Sequence, residues 1–292
     1  MIESIVCGLI GSGIRASLTP PMHEEEGRRH GLTYAYRIID LDHLSLSTSN
    51  LPRLVWSAQE LGFRGLNITH PCKQAVIGCL DGLSADAELL GAVNTVVFEE
   101  GKAIGHNTDW SGFARNLDRS LTGAAMDNVV QLGAGGAGVA VAYALLRRGV
   151  GRITLVDNNI VRALQLRDRL APAFVAADIS IAALADLPER LSTADGLVNA
   201  TPMGMAAHPG SAVPPELLRP DLWVADVVYR PLETDLLRAA REVGARTLSG
   251  AGMAVFQAVD AFRIFTGIEP DADRMFDHMT ALIRQEESVM VR

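Results

Sequence analysis

Hydrophobic and polar positions along this chain alternate between two periods. Apolar runs at residues 5–10, 34–41 and 65–69 read as strands. Stretches with helical character follow them, at residues 20–30, 51–61 and 70–80. Residues 91–97 predict a further strand with Asn94-Thr95 inside it, and Gly101-Lys102 a hairpin turn. A helix over 109–121 then links two halves. The second half repeats the alternation, with strands at 129–132, 153–156, 173–176, 197–200, 223–229 and 246–248. Its helices fall at 139–148, 161–170, 234–243, 254–266 and 271–287. Strands alternating with helices predict an α/β protein with largely parallel sheets.

The most informative stretch runs from Val129 to Asp157. A short apolar strand meets Gly133-Ala134-Gly135-Gly136-Ala137-Gly138, then an apolar helix, then a second strand ending at Asp157. That is the βαβ context in which a glycine fingerprint binds a dinucleotide. Gly133 permits the tight turn, Gly135 lets backbone approach a pyrophosphate, and Gly138 lets helix and strand pack. The helix N-terminus offers free N–H groups to phosphate. Asp157 stands near the ~20-residue spacing expected of a carboxylate that accepts ribose hydroxyls.

Composition narrows the choice. The 292 residues suffice for two domains, and 48% are apolar. A formal charge of −8 with no basic stripe argues against nucleic acid and anionic membranes. Cys7, Cys72 and Cys79 show neither disulfide nor metal-ligand spacing, which leads us to expect a reducing cytoplasm and no bound metal. No basic, apolar leader is expected from residues 1–4, and no apolar run reaches a membrane span.

Polar residues gather in three clusters in the first half: Ser17/Thr19, Asn67/Thr69/Lys73, and Asn94 with Asn107/Thr108/Asp109. Each lies at or just after an apolar run, where open α/β sheets place ligands. Ser17 and Thr19 alternate in an expected extended segment. Either could simply cap the helix at Pro20, as Asp109 could cap its own. Lys73 is expected at a helix start, where the dipole disfavours a cation.

With these motifs in view the chain resembles the shikimate dehydrogenases and their quinate/shikimate dehydrogenase relatives. The resemblance rests on Ser17-Leu18-Thr19-Pro20, Gly65-Leu66-Asn67-Ile68-Thr69 with Lys73, Gly91-Ala92-Val93-Asn94-Thr95 and Gly105-His106-Asn107-Thr108-Asp109. It continues through the glycine turn, Asn199-Ala200-Thr201-Pro202-Met203-Gly204 and Gly252-Met253 with Gln257. It implies an α/β substrate domain at 1–108, with 252–292 packing back on it, and a Rossmann-type doubly wound domain at 109–251. It also implies Lys73 and Asp109 as catalytic pair, and Ser17, Thr19, Thr69, Asn94, Gln257 and Tyr229 around a small polyhydroxylated ring acid. Gly133, Gly135, Gly136, Gly138, Asp157, Arg162, Thr201, Met205 and Gly252 would serve the cofactor. Oligomeric state is not legible; a homodimer is left open.

Two departures from the NADP-using biosynthetic branch bear on specificity. Asp157-Asn158-Asn159 stands where that branch has an Asn-Arg-Thr-like segment, which favours NAD. Thr19 replaces the usual serine, as in quinate-using relatives. The expected activity is NAD-dependent oxidation of quinate and shikimate. The alternatives are an NADP biosynthetic shikimate dehydrogenase, a folate dehydrogenase/cyclohydrolase and a non-catalytic NAD-binding regulator.

Overall fold

The structure, a computed structural model, describes residues 4–290, with side chains to residue 286. Residues 1–3, on which the expectation of no leader partly rests, lie outside the described residues. The chain forms two compact units, residues 1–108 with 255–292 and residues 109–254. Among the described residues no helix is long and apolar enough to cross a membrane.

In the first unit the elements run β1 (Ser4–Gly11), α1 (Thr19–Arg29), β2 (Thr33–Asp40), α2 (Leu51–Glu60) and β3 (Gly65–Ile68), then β4 (Gly82–Leu83), α3 (Ala85–Leu90), β5 (Thr95–Glu99) and β6 (Lys102–His106). The sheet order is β2-β1-β3-β5-β6-β4. Strands β1, β2 and β3 are parallel, whereas β5 runs antiparallel to both β3 and β6. The tight β5–β6 connection uses Glu100 and Gly101, both at positive φ.

The second unit contains α4 (Asp109–Ser120), β7 (Asn128–Leu132), α5 (Gly136–Arg147), β8 (Arg152–Val156), α6 (Ile160–Leu170) and β9 (Asp178–Ala182). It continues with α7 (Leu187–Ser192), β10 (Gly196–Asn199), β11 (Trp223–Asp226), α8 (Asp235–Glu242) and β12 (Thr247–Ser249). The order β12-β11-β10-β7-β8-β9 is all parallel, the doubly wound arrangement whose switch point lies between β7 and β10. Helices α9 (Gly250–Thr266) and α10 (Ala272–Met290) close the chain.

Strand alternation builds the core of the first unit. Ile5, Cys7 and Leu9 face one side with Tyr36, Ala261 and Phe265; Ile10, Leu66, Ile68 and Val96 face the other, against Leu51 and Val55. Helix α10 is fixed to α1 by a buried carboxylate. Glu26 accepts from the Arg274 Nε at 2.9 Å and from the Asp271 N–H at 2.8 Å. His23 is enclosed by Tyr34, Tyr36, Phe262 and Phe265, and burial pushes its pKa down to about 3, so it is a neutral core residue.

Several expected boundaries move, each for a local reason. Thr19 is the first residue of α1 rather than part of an extended segment, and its N–H is accepted by Ser17 Oγ at 3.3 Å. Residues 70–80 make a turn and a short 3-10 helix (Ala75–Cys79) instead of an α-helix, because Pro71 and Gly78 leave too few residues to propagate one. Lys73 therefore sits in a turn. Asn94 precedes β5 instead of lying within a strand, since Gly91 ends α3 in the left-handed region. Residues 173–176 are a turn, and the strand falls at β9. Strand β11 stops at Asp226, whose side chain accepts the Val228 N–H and turns the chain before Tyr229. Helices α3 and α7, of six residues each, are too short to show a period.

Candidate functional site

Sheet register gathers the polar clusters of the first unit at one edge. Ile10 pairs with Ile68, Asn67 with Thr95, and Thr95 with His106. The ends of β1, β3 and β6 thus meet the start of β5. A buried chain of hydrogen bonds runs along that edge. The Tyr36 hydroxyl donates to Asn67 Oδ1 at 2.6 Å, and Asn67 Nδ2 donates to Thr95 Oγ1 at 3.1 Å. Thr95 Oγ1 donates to Asn94 Oδ1 at 3.0 Å, and that oxygen also takes the Thr108 N–H at 2.7 Å. Thr108 Oγ1 donates to the Gln257 carbonyl at 3.0 Å, tying in α9. Asn67, Asn94, Thr95, Asn107 and Thr108 are all buried, and buried amides and hydroxyls require partners of this kind.

Ser17, Thr19, Thr69, Lys73 and Gln257 are half-buried. The Lys73 carbonyl accepts the Val93 N–H at 2.8 Å, which sets the lysine's turn beside the Asn94 segment. The loop after β1 is shaped by Asp40, which accepts the Gly13 and Ile14 N–H groups at 3.1 and 3.0 Å. Tyr36 and Asp40 support the site and were not singled out from sequence; only strand pairing brings them in.

In the second unit the glycine turn lies at the carboxyl end of β7, beside the switch point. A Cβ on Gly138 would stand 2.2 Å from the Gly133 carbonyl oxygen, and one on Gly133 2.7 Å from that of Ala200. Those two glycines are required by the chain's own packing. Cβ atoms at Gly135 and Gly136 would meet nothing within 4 Å. Their bareness leaves open space over the start of α5, where orphan N–H groups and the helix dipole suit a pyrophosphate. Asp157 at the tip of β8 accepts the Ala134 N–H on Oδ2 and the Asn159 N–H on Oδ1, both at 2.7 Å. A carboxylate has about four acceptor positions, so capacity for ribose hydroxyls remains. Arg162 is exposed on α6.

The turn after β10 is locked on Asn199. Its Nδ2 donates to the Met203 carbonyl and to Asp226 Oδ1, and its Oδ1 accepts the Thr201 N–H and hydroxyl. Thr201 is thereby held beside Gly133, whereas Met205 is exposed. Gly252 has a packing reason of its own, since a Cβ there would overlap the Asn116 side chain. Tyr229 is half-buried in the turn after β11.

Burial raises the Asp226 carboxyl from 3.8 to about 6, against hydrogen bonds from Thr234, Val228 and Asn199 that lower it. Between those values the folded chain keeps a proton that the unfolded chain has lost. Stability therefore falls as pH rises through that window, by about 3 kcal/mol in all, and changes no further above it. Asp226→Asn should remove this dependence. Denaturant unfolding at pH 4 and pH 7 tests it: the variant should gain about 2 kcal/mol relative to wild type between the two, and a constant difference would refute the assignment.

Comparison with known proteins agrees with this layout. Residues 9–96 match the shikimate dehydrogenase substrate binding domain, and residues 250–275 the shikimate 5'-dehydrogenase C-terminal domain. A shikimate dehydrogenase (NADP(+)) of Streptomyces avermitilis is 58% identical over 96% of each chain. A quinate/shikimate dehydrogenase (NAD(+)) of Corynebacterium glutamicum is 50% identical over 97% of this chain and 100% of its own. The solved quinate dehydrogenase from Corynebacterium glutamicum in complex with NAD superposes with a TM-score of 0.92 at 49% identity, covering 96% of this chain and 99% of that one. The chain belongs to the shikimate dehydrogenase family.

Proposed function

We propose that this chain oxidises a ring secondary alcohol of quinate and shikimate, reversibly and with NAD. The observation that carries the cofactor choice is Asp157, fixed at the tip of β8 by two backbone N–H groups. A carboxylate there repels a 2′-phosphate and accepts ribose hydroxyls. The two relatives named above differ in cofactor, so the choice falls to residues 157–159. Asn158 and Asn159 add no cation to offset Asp157, and Arg162 on α6 is assigned to the adenine or to Asp157 itself.

The residues that would hold the dinucleotide are the N–H groups of the 133–138 turn, Asp157 and Thr201. When bound it supplies the hydride acceptor. The chain's own residues manage the substrate and its proton. Ser17, Thr19, Thr69, Asn94 and Gln257 offer hydroxyls and amides to the carboxylate and ring hydroxyls. Lys73 bonds the reacting oxygen and stabilises the charge that develops as the O–H bond breaks, while Asp109 orients the lysine. The proton passes to this pair as the C–H hydride leaves. Retention of both residues favours an enzyme over a silent NAD-binding regulator. Tyr229 is assigned to the substrate side.

Thr19 tilts the reading towards quinate. Its extra methyl restricts χ1, and with it the directions open to its hydroxyl, at the entry to α1. Initial rates with quinate and shikimate, each with NAD and NADP, test the whole proposal. We expect kcat/KM to be higher with NAD for both acids and measurable quinate oxidation. A higher value with NADP would overturn the role of Asp157. No turnover of either acid would overturn the substrate class.

A further inference from the structure

We propose that Gln131 is a positioning residue that holds the glycine turn in its ligand-ready shape and so sets the dinucleotide affinity of this chain. The inference rests on the reading of that turn as the dinucleotide site. Strand β7 is Asn128-Val129-Val130-Gln131-Leu132, and Gln131 is fully buried within it. Val130 and Leu132 join the apolar cluster on one face of the sheet, so Gln131 points to the other. An amide in such a place is expensive unless it is used.

Both of its N–H bonds are used on the turn. Nε2 donates to the Gly133 carbonyl and to the Gly138 carbonyl, each at 2.8 Å. These are the first and last residues of the glycine motif, so one amide ties its two ends together. Its own Oε1 is buried with no hydrogen-bond partner among the described residues. The side chain is thus kept for its two donors, at the cost of an orphan acceptor.

The peptide between Gly133 and Ala134 shows what the arrangement achieves. A trans peptide directs its carbonyl and its N–H to opposite sides. The carbonyl is held by Gln131 and the N–H by Asp157 Oδ2 at 2.7 Å. One peptide plane is therefore bolted at both ends, and the far bolt is the residue assigned to the ribose. With the inner bolt removed the plane can rotate, which misdirects the turn and also releases Asp157 from its fixed orientation. Preorganisation of this kind acts on binding of the dinucleotide and leaves the chemistry on the ring acid untouched.

Gln131→Met tests it, because methionine matches the length and lacks donors. NADH binding to the full chain is measured directly by fluorescence, beside kcat, the two KM values and the melting temperature. The expected result is an NADH Kd and a dinucleotide KM raised on the order of tenfold. The ring-acid KM and the kcat at saturation should stay within about twofold; the melting temperature shows that the variant is folded, two carbonyls having lost a donor while one orphan acceptor has gone. Gln131→Leu is the second variant, with the same expectation, should the methionine variant fail to fold. A folded variant that binds NADH as tightly as wild type overturns the role of Gln131 alone. A wild-type chain that binds no NADH overturns the reading of the turn itself.

Discussion

Alanine at Lys73 or at Asp109 is expected to lower kcat by roughly 10³-fold, with the double variant little worse than either single one. The expected non-additivity follows from their roles. A lysine that stabilises an alkoxide works only if it is oriented, and an orienting carboxylate has no purpose without the lysine. The surroundings make the lysine replacement tolerable to the fold, whereas Asp109 is buried at the start of α4. Lys73 is half-buried in a turn held by its backbone carbonyl, and Asp109 opens α4 directly after Thr108, itself anchored to Asn94. In Lys73→Ala the loss should thus appear in kcat with the melting temperature little changed. NADH binding should persist, because the glycine turn is built from residues 133–138 and neither position belongs to it. Steady-state rates of the three variants, with NADH binding as control, decide the matter. Full activity in Lys73→Ala would sink the proposed proton chemistry.

The second large effect separates glycines the chain needs from glycines its ligand needs. Alanine at Gly135 or Gly136 should leave the unliganded protein as stable as wild type and weaken NADH binding by about 10- to 100-fold. Nothing in the chain opposes the added methyl at either position, and Gly135 has ordinary extended dihedrals of −80° and −165°. Gly136 is helical, where alanine is the better residue. Gly138→Ala should behave differently, losing stability and binding together, because its Cβ would press on the Gly133 carbonyl at 2.2 Å. Melting temperatures and NADH titrations of the three variants give the comparison. Undiminished binding in both Gly135→Ala and Gly136→Ala would mean that no phosphate lies over the start of α5.

The glycine turn was legible because its information is local. Strand, turn, helix and second strand follow one another between Val129 and Asp157, and each is marked by its own period or by glycine. Lys73 was misplaced on an α-helix for the converse reason. A lysine in a polar stretch before an apolar one looks like a helix start, and only the hydrogen bonding of residues 69–77 shows a turn and a 3-10 segment. Asn94 is legible in the sequence as one of the clustered polar residues of the first half. Its place before β5, and the bonds of its side-chain oxygen to Thr95 and Thr108, came from the structure.

Taken alone, the chain's pattern determines the α/β class, the βαβ unit and the acid at its tip, because strand and helix periods and glycine turns act over a few neighbouring residues. The tertiary structure alone decides the polar row Tyr36–Asn67–Thr95–Asn94–Thr108 and the clamp of Gln131 on the glycine turn. Tyr36 and Asn67 are 31 residues apart, and Asn67 and Thr95 are 28 apart. They meet because β2, β1, β3 and β5 pair in one register, and that register is set by burial of apolar side chains on both faces of the sheet. Gln131 is near its partners in sequence, yet which face of β7 it occupies is fixed by packing of Val130 and Leu132 against α7 and α8. No local preference of glutamine encodes that choice.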